Sequence, residues 1–420
     1  MKVFGIKSNY LSVKLEILGI KFVFNKKSKN KIDENYENVL NRLKNKYGKE
    51  KIKVGFLVSE QAKWKYQSLY EKLLEDDCFE PVVLVTELSA RHKNKKSFYK
   101  TIEECYEFFK NKKMNVVYAY DVKKRKYISL DEFGIDILFY QQPWMLGKEQ
   151  KPDMVSRYAL TCYSCYGLNI VEDSIDYMED FHFLLWKMFV ENECLVSCFS
   201  NLIKKEIYNC VTVGCPMLDE YKKVTDFEDK NKPIIIYAPH HSLDEKGLRC
   251  ATFNHNGKKI LELAKNTKDM FDWVFKPHPR LKHAVICNNI MKEEEIDEYF
   301  EEWRRVGRIV DGGDYINLFY NSDAMITDCV SFLGEYLPSK KPLIHLVSDF
   351  NPFNDFGKSF IDSFYKAHDF EEFSQIFNEV VVLKNDYKRD ERLDKIKILY
   401  DEKTTVTDKI YNFLNDNIRN

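Results

Sequence analysis

Short apolar runs, each ending at a turn-forming residue and followed by apolar positions three or four apart, recur along most of the chain. Lys53–Val58, Pro81–Val85, Val116–Tyr118 and Asp136–Tyr140 read as buried strands, as do Tyr158–Tyr163, Leu195–Phe199 and Val211–Val213. Helical spacing fills Ser59–Leu74 and Thr101–Lys112, the latter with Ile102, Cys105, Tyr106 and Phe109 on one side. Strands that are apolar throughout, rather than alternating, have both faces covered, and helices of this length between them predict a parallel sheet.

A second series of the same kind follows. Ile234–Ala238, Trp273–Lys276, Arg308–Val310, Ala324–Thr327 and Lys341–Leu346 read as strands, with helices over 257–271, 292–306, 316–321 and 371–382. Between the two series, Val224–Lys232 is charged and poor in apolar residues and ends at Pro233, a linker signal. The predicted organisation is α/β, two doubly wound Rossmann-like halves facing a cleft. The first half spans 51–223 and the second 234–405, joined by a linker at 224–233 and followed by a closing helical segment at 406–420. Ligands of open α/β sheets sit at the carboxyl ends of strands, so the turns there are where chemistry is expected.

Residues 1–50 are a basic-apolar segment and a lead-in helix. Leu15, Ile17, Leu18, Ile20, Phe22 and Phe24 lie among lysines, ahead of Lys26-Lys27-Ser28-Lys29-Asn30-Lys31, without a clean helical or strand period. Residues 1–31 could contact an anionic membrane surface or form a small hairpin packed on the first half. Glu34–Lys46 then reads as a helix.

Composition narrows the function. At 420 residues two domains are the natural expectation. Lys plus Arg number 65 and Asp plus Glu 66, a net charge of −1, so no global field favours nucleic acid. The eleven cysteines are scattered, and neither a secretory signal nor a membrane-spanning run is present, which fits a cytoplasmic protein with reduced thiols. Cys162-x-x-Cys165 falls in a strand-like run that would turn the two thiols to opposite faces, an argument against zinc.

Three turns stand out: Pro239-His240-His241, Pro277-His278-Pro279-Arg280 and Thr327-Asp328-Cys329-Val330-Ser331. Parallel strands bring them to one edge, where imidazoles, a guanidinium and a helix start would together suit a diphosphate. Ser331 adds a hydroxyl, and Glu335, one helical turn on, could accept from ribose hydroxyls. Gly-x-Gly-x-x-Gly is absent after the first strand of either half, and so is Gly-x-x-x-x-Gly-Lys-Ser/Thr, which weakens dinucleotide oxidoreduction and P-loop hydrolysis. No Asp-x-Asp occurs, so a bound diphosphate would rely on side chains rather than a chelated metal.

Ile236–Ser242, Phe275–Pro279 and Asp323–Ser331 with Glu335-Tyr336-Leu337 resemble the CDP-glycerol glycerophosphotransferase family. Upstream, Asp136–Trp144, Tyr163–Gly167 and Gly214–Asp219 look like the N-terminal signatures of its capsule-associated branch. The resemblance covers roughly residues 51 to 415, in order. It implies a GT-B fold and transfer of a phosphopolyol from a CDP-activated donor to a cell-surface polysaccharide or teichoic-acid-like acceptor. CMP is released, no cofactor or metal is strictly required, and the protein sits in the cytoplasm or at the inner face of the cytoplasmic membrane.

Carried over by position, the resemblance puts His278 on the donor diphosphate, Ser331 and neighbouring amides on a phosphate, and Glu335 towards the nucleotide. Pro239, Arg280, Thr327, Asp328 and Val330 complete the donor side; Gln142, Tyr166 and Gly167 form the acceptor side. The chain departs from the family in having Val330-Ser331 for paired serines and Glu335 for the commoner aspartate. It also has Cys165-Tyr166-Gly167-Leu168 where the polymerases carry a His-Gly-Thr-Pro loop. With that histidine missing, His240 or His241 is the candidate general base. Rival readings are a GT-B glycosyltransferase or sugar-nucleotide 2-epimerase in capsule assembly, and a non-catalytic nucleotide- or polymer-binding partner.

Overall fold

The structure, a computed structural model, describes all residues except 1–3, 9–11, 18–19, 26–27, 89–94, 166, 172–179, 204–208, 229, 244–248, 311–314, 350–352, 400, 402 and 420. The chain forms two compact units. The first comprises Met1–Tyr166, Ser174–Met217 and Thr404–Asn420, and the second Gly167–Asp173 and Leu218–Lys403.

The N-terminal segment is an antiparallel meander of β1 (Phe4–Ser8), β2 (Ser12–Ile17) and β3 (Ile20–Asn25). This corrects the reading of a segment without a strand period. Val13, Leu15 and Ile17 alternate, as do Ile20, Phe22 and Phe24, and the register pairs Leu15 with Phe22 and Ile17 with Ile20. Lysines between them had masked the period of two. No helix among the described residues is long and apolar enough to cross a membrane.

The first unit's main sheet contains β4 (Ile52–Val58), β5 (Phe79–Val85) and β6 (Val116–Tyr118), then, beyond a small hairpin of β7 (Tyr120–Asp121) and β8 (Lys126–Tyr127), β9 (Ile137–Tyr140), β10 (Leu160–Ser164), β11 (Lys187–Val190) and β12 (Cys210–Thr212). Their order is β12-β11-β10-β9-β4-β5-β6, all parallel. Ile52, Val54, Phe56 and Val58 pack into one core and Leu57 into another on the opposite face, as the apolar runs require. Leu195–Phe199, read as a strand, lies instead in the helix Glu193–Ile203. A five-residue, mostly apolar stretch does not separate the two states, and Asn192 settles it by accepting from the amide of Leu195 at 3.1 Å, a helix-start contact.

The second unit holds β13 (Ile234–Ala238), β14 (Asp272–Phe275), β15 (Arg308–Ile309), β16 (Ala324–Thr327), β17 (Leu343–Leu346) and β18 (Tyr365–Ala367). They form a parallel sheet of order β15-β14-β13-β16-β17-β18. The order reverses at β13, which sits between β14 and β16, so the loops after these three strands are neighbours. Tyr237, Phe275 and Trp303 fill the core beneath them, Phe275 stacked on Trp303 with centroids 4.9 Å apart.

Candidate active site

The three turns picked from the sequence meet at the carboxyl edge of the second unit's sheet. Proline ends β13 at Pro239 and flanks His278 on both sides, removing backbone donors and fixing φ where the chain leaves the sheet. The His278 amide donates to the Pro239 carbonyl at 3.0 Å, locking one loop to the other. His240, His241 and His278 consequently cluster, with ring centroids 4.4 Å (240–241), 4.9 Å (240–278) and 3.9 Å (241–278) apart.

Backbone hydrogen bonds decide what two of these rings present. The Arg280 amide donates to Nδ1 of His278 at 3.1 Å, and the Ser242 amide to Nδ1 of His240 at 3.3 Å. A backbone N–H can only donate, so each Nδ1 is an acceptor and the ring proton of each neutral imidazole sits on Nε2. Burial holds the rings neutral. It pulls His240 down to about 3 and His278 to about 2, with the neighbouring imidazoles and the Arg280 and Lys276 cations adding to the His278 shift. His241 falls to about 4 through burial and the Arg280 charge, and its Nδ1 is buried without a hydrogen-bond partner among the described residues.

The three rings also place their nitrogens within 4.8 Å of one another, close enough to consider a metal ion. A metal on Nε2 of His240 or His278 needs a lone pair there, hence a proton on Nδ1, which would break both backbone bonds. The cluster is better suited to donate to an anion. Arg280 is exposed beside it and forms no ion pair with the described residues.

Two predicted donor-side residues are committed elsewhere. The Thr327 hydroxyl donates to the Ala238 carbonyl at 2.7 Å and accepts from the Cys329 amide at 2.9 Å, joining β16 to β13. Asp328, fully buried, accepts from the His240 amide at 2.6 Å and from the Thr252 amide and hydroxyl at 2.6 and 2.9 Å. Burial still lifts its carboxyl to about 6 against these donors. Both side chains therefore hold the loops in place.

Val330 and Ser331 open the helix Val330–Tyr336, and Glu335 sits one turn along it, buried. The Tyr315 hydroxyl donates to Glu335 at 2.7 Å, and the Ser331 hydroxyl also bonds it. Desolvation raises the Glu335 carboxyl to about 7 even so, with Tyr315 and the Lys276 charge opposing the rise. Buried Lys276 lies 4.7 Å from the Tyr315 ring centroid. Gly167 belongs to this unit, and a Cβ there would stand 3.4 Å from Glu335 Oε1 and 3.7 Å from Ser331 Cβ.

Of the remaining acceptor-side residues, Gln142 lies in the first unit with its amide satisfied at both ends. Its Oε1 accepts from Lys63 at 2.7 Å and its Nε2 donates to the Trp144 carbonyl at 3.0 Å. Tyr166 lies outside the described residues. Lys276, Tyr315 and Thr252 were given no role from the sequence. Lys276, a charge at the end of an otherwise apolar strand, is the one that carried a signal.

Most of the chain is similar in fold to sugar-nucleotide enzymes. The S. aureus MnaA–UDP complex aligns with a TM-score of 0.56 at 14% identity, covering 87% of this chain and 96% of that one. A putative UDP-N-acetylglucosamine 2-epimerase from Listeria monocytogenes gives 0.56 at 12%, with the same coverage. The UDP-GlcNAc 2-epimerase from Neisseria meningitidis bound to UDP-GlcNAc gives 0.54 at 13%, covering 87% of this chain and 100% of that one. These likenesses establish the GT-B-like fold alone; no curated protein sequence matches the chain. The sequence profile described as CDP-Glycerol:Poly(glycerophosphate) glycerophosphotransferase matches residues 180–411, more than half of the chain and all three loops of the imidazole cluster, and the protein belongs to that family of transferases.

Proposed function

We propose that the protein transfers a phosphopolyol, of the glycerol-phosphate kind, from a CDP-activated donor to a surface-polymer acceptor and releases CMP. The observation that carries this reading is the pair of Nε2–H donors on His240 and His278, fixed by the backbone amides of Ser242 and Arg280. Neutral donors in a low-dielectric pocket beside the Arg280 guanidinium suit a diphosphate, which needs hydrogen bonds to its oxygens and charge nearby.

The acceptor hydroxyl attacks the β-phosphorus in line. Its oxygen forms the new P–O bond, the bond to the CMP oxygen breaks, and the hydroxyl proton passes to a base. Of the two imidazoles considered for that role, His240 is committed as a donor through Nε2. That leaves His241, whose ring no backbone amide fixes, to take the proton. His278, His240 and Arg280 stabilise the departing phosphate, while Ser331 and Glu335 meet the nucleoside side, Glu335 accepting from ribose hydroxyls. No metal is needed in this scheme. Protein incubated with CDP-glycerol and a poly(glycerol phosphate) primer should release CMP only when the primer is present. Release without primer, or none with it, would overturn the reading.

A further inference from the structure

A cavity of about 890 Å³ opens in the same unit at the edge of the sheet opposite the imidazole cluster. Asn321 and Pro342, which precede β16 and β17, line it, whereas the imidazole cluster follows the carboxyl ends. Four-residue strands at about 3.3 Å per residue separate the two edges by roughly 13 Å, so this is a different site.

Its charge is one-sided. Among the described residues, Lys222, Lys230, Lys340, Lys341 and Arg389 line it against Asp226 and Asp386. Asp386 is already engaged by the fully buried guanidinium of Arg392 and by the Tyr365 hydroxyl. Nη1 of Arg392 is buried beside it with no acceptor among the described residues. Lys230 pairs with Asp323 at 2.8 Å, but Lys341 and Arg389 form no ion pair with the described residues. The chain as a whole is nearly neutral, at −1, so this concentration of cations is local.

We propose that this cavity is a binding groove for a phosphodiester polymer, the anionic backbone of the acceptor class named above, and the identity of that polymer rests on the transferase reading. Its cations come from four separate stretches of chain around an open cavity instead of converging on one point. That arrangement meets a repeating anion at several phosphates and gives a single phosphate little advantage. Tyr221, Phe227 and Tyr320 in the lining offer apolar area for the carbon units between charges.

The test is the full-length protein against a Lys341→Glu, Arg389→Glu double variant, neither residue being in the core or the imidazole cluster. Binding is measured for poly(glycerol phosphate), glycerol 3-phosphate, phosphatidylglycerol vesicles, single-stranded DNA and CDP. The expected result is polymer binding that weakens about tenfold or more in the variant, exceeds monomer binding, and leaves CDP affinity unchanged. Equal polymer affinity in both proteins, or no polymer binding by the wild type, overturns the groove. Vesicles or DNA bound as tightly as polymer, and lost in the same variant, also overturn it by assigning another occupant. Failure of the wild type to bind CDP would count against the transferase reading alone, because the polymer comparison still decides the groove.

Discussion

The Arg280 amide donates to Nδ1 of His278 at 3.1 Å, and this one contact decides which ring nitrogen carries the proton that faces the site. His278→Ala removes that donor without opening the core. A hydrogen bond to a charged group is worth about 1.5–3 kcal/mol, so CDP affinity should fall by roughly ten- to a hundredfold while the melting temperature holds. Calorimetric titration with a melting curve checks both. Unchanged CDP affinity would remove His278 from the diphosphate.

Chelation gives a second check. With Nε2 protonated on both rings, CDP should bind equally in EDTA and in millimolar Mg²⁺, and Zn²⁺ should not tighten it. A CDP affinity that collapses in EDTA and returns with a divalent ion would show that the backbone contacts give way to metal ligation.

Glu335 makes the binding and the fold respond to pH in opposite directions. Its carboxyl is raised to about 7, so acceptance from ribose hydroxyls requires deprotonation, and nucleotide affinity should weaken as pH falls through about 7. For folding, the native state holds the proton more tightly than the unfolded chain. The contribution is therefore full below the unfolded value near 4.5 and is lost as pH rises towards about 7. Glu335→Gln should flatten the binding profile and gain stability over wild type between pH 5 and 8. A parallel pair of stability curves would exclude the raised carboxyl.

Asp328→Asn tests the division between holding and binding. An amide presents one oxygen where the carboxylate accepts from three donors, and its NH₂ would oppose an N–H of Thr252 or His240. The loss should be about 2 kcal/mol or more of stability, together with weaker CDP binding because the His240 loop moves. Full stability with CDP binding lost would instead place Asp328 against the ligand.

The sheets were legible in the sequence because parallel strands, covered on both faces, are apolar throughout, as Val54–Val58 and Ile234–Ala238 are. The helix Glu193–Ile203 was not, since Leu195–Phe199 has no period to read. The site was half legible. Prolines and histidines at strand ends mark their own turns, so the cluster could be placed in advance. What those turns lean on could not be: Thr252 meets Asp328 across 76 residues and Tyr315 meets Glu335 across 20, with no local pattern tying either pair.

Gly167 and its successors belong to the second unit although they precede it by some fifty residues. The Ile170 carbonyl accepts from the Asn354 amide at 3.0 Å, and Leu168 lies where a side chain on Gly334 would otherwise reach. A chimaera that exchanged the second unit between family members at residue 218 would leave this strip behind. The recipient would have to cover Glu335 and Gly334 with a foreign strip, so residues 167–171 need to travel with the half they serve.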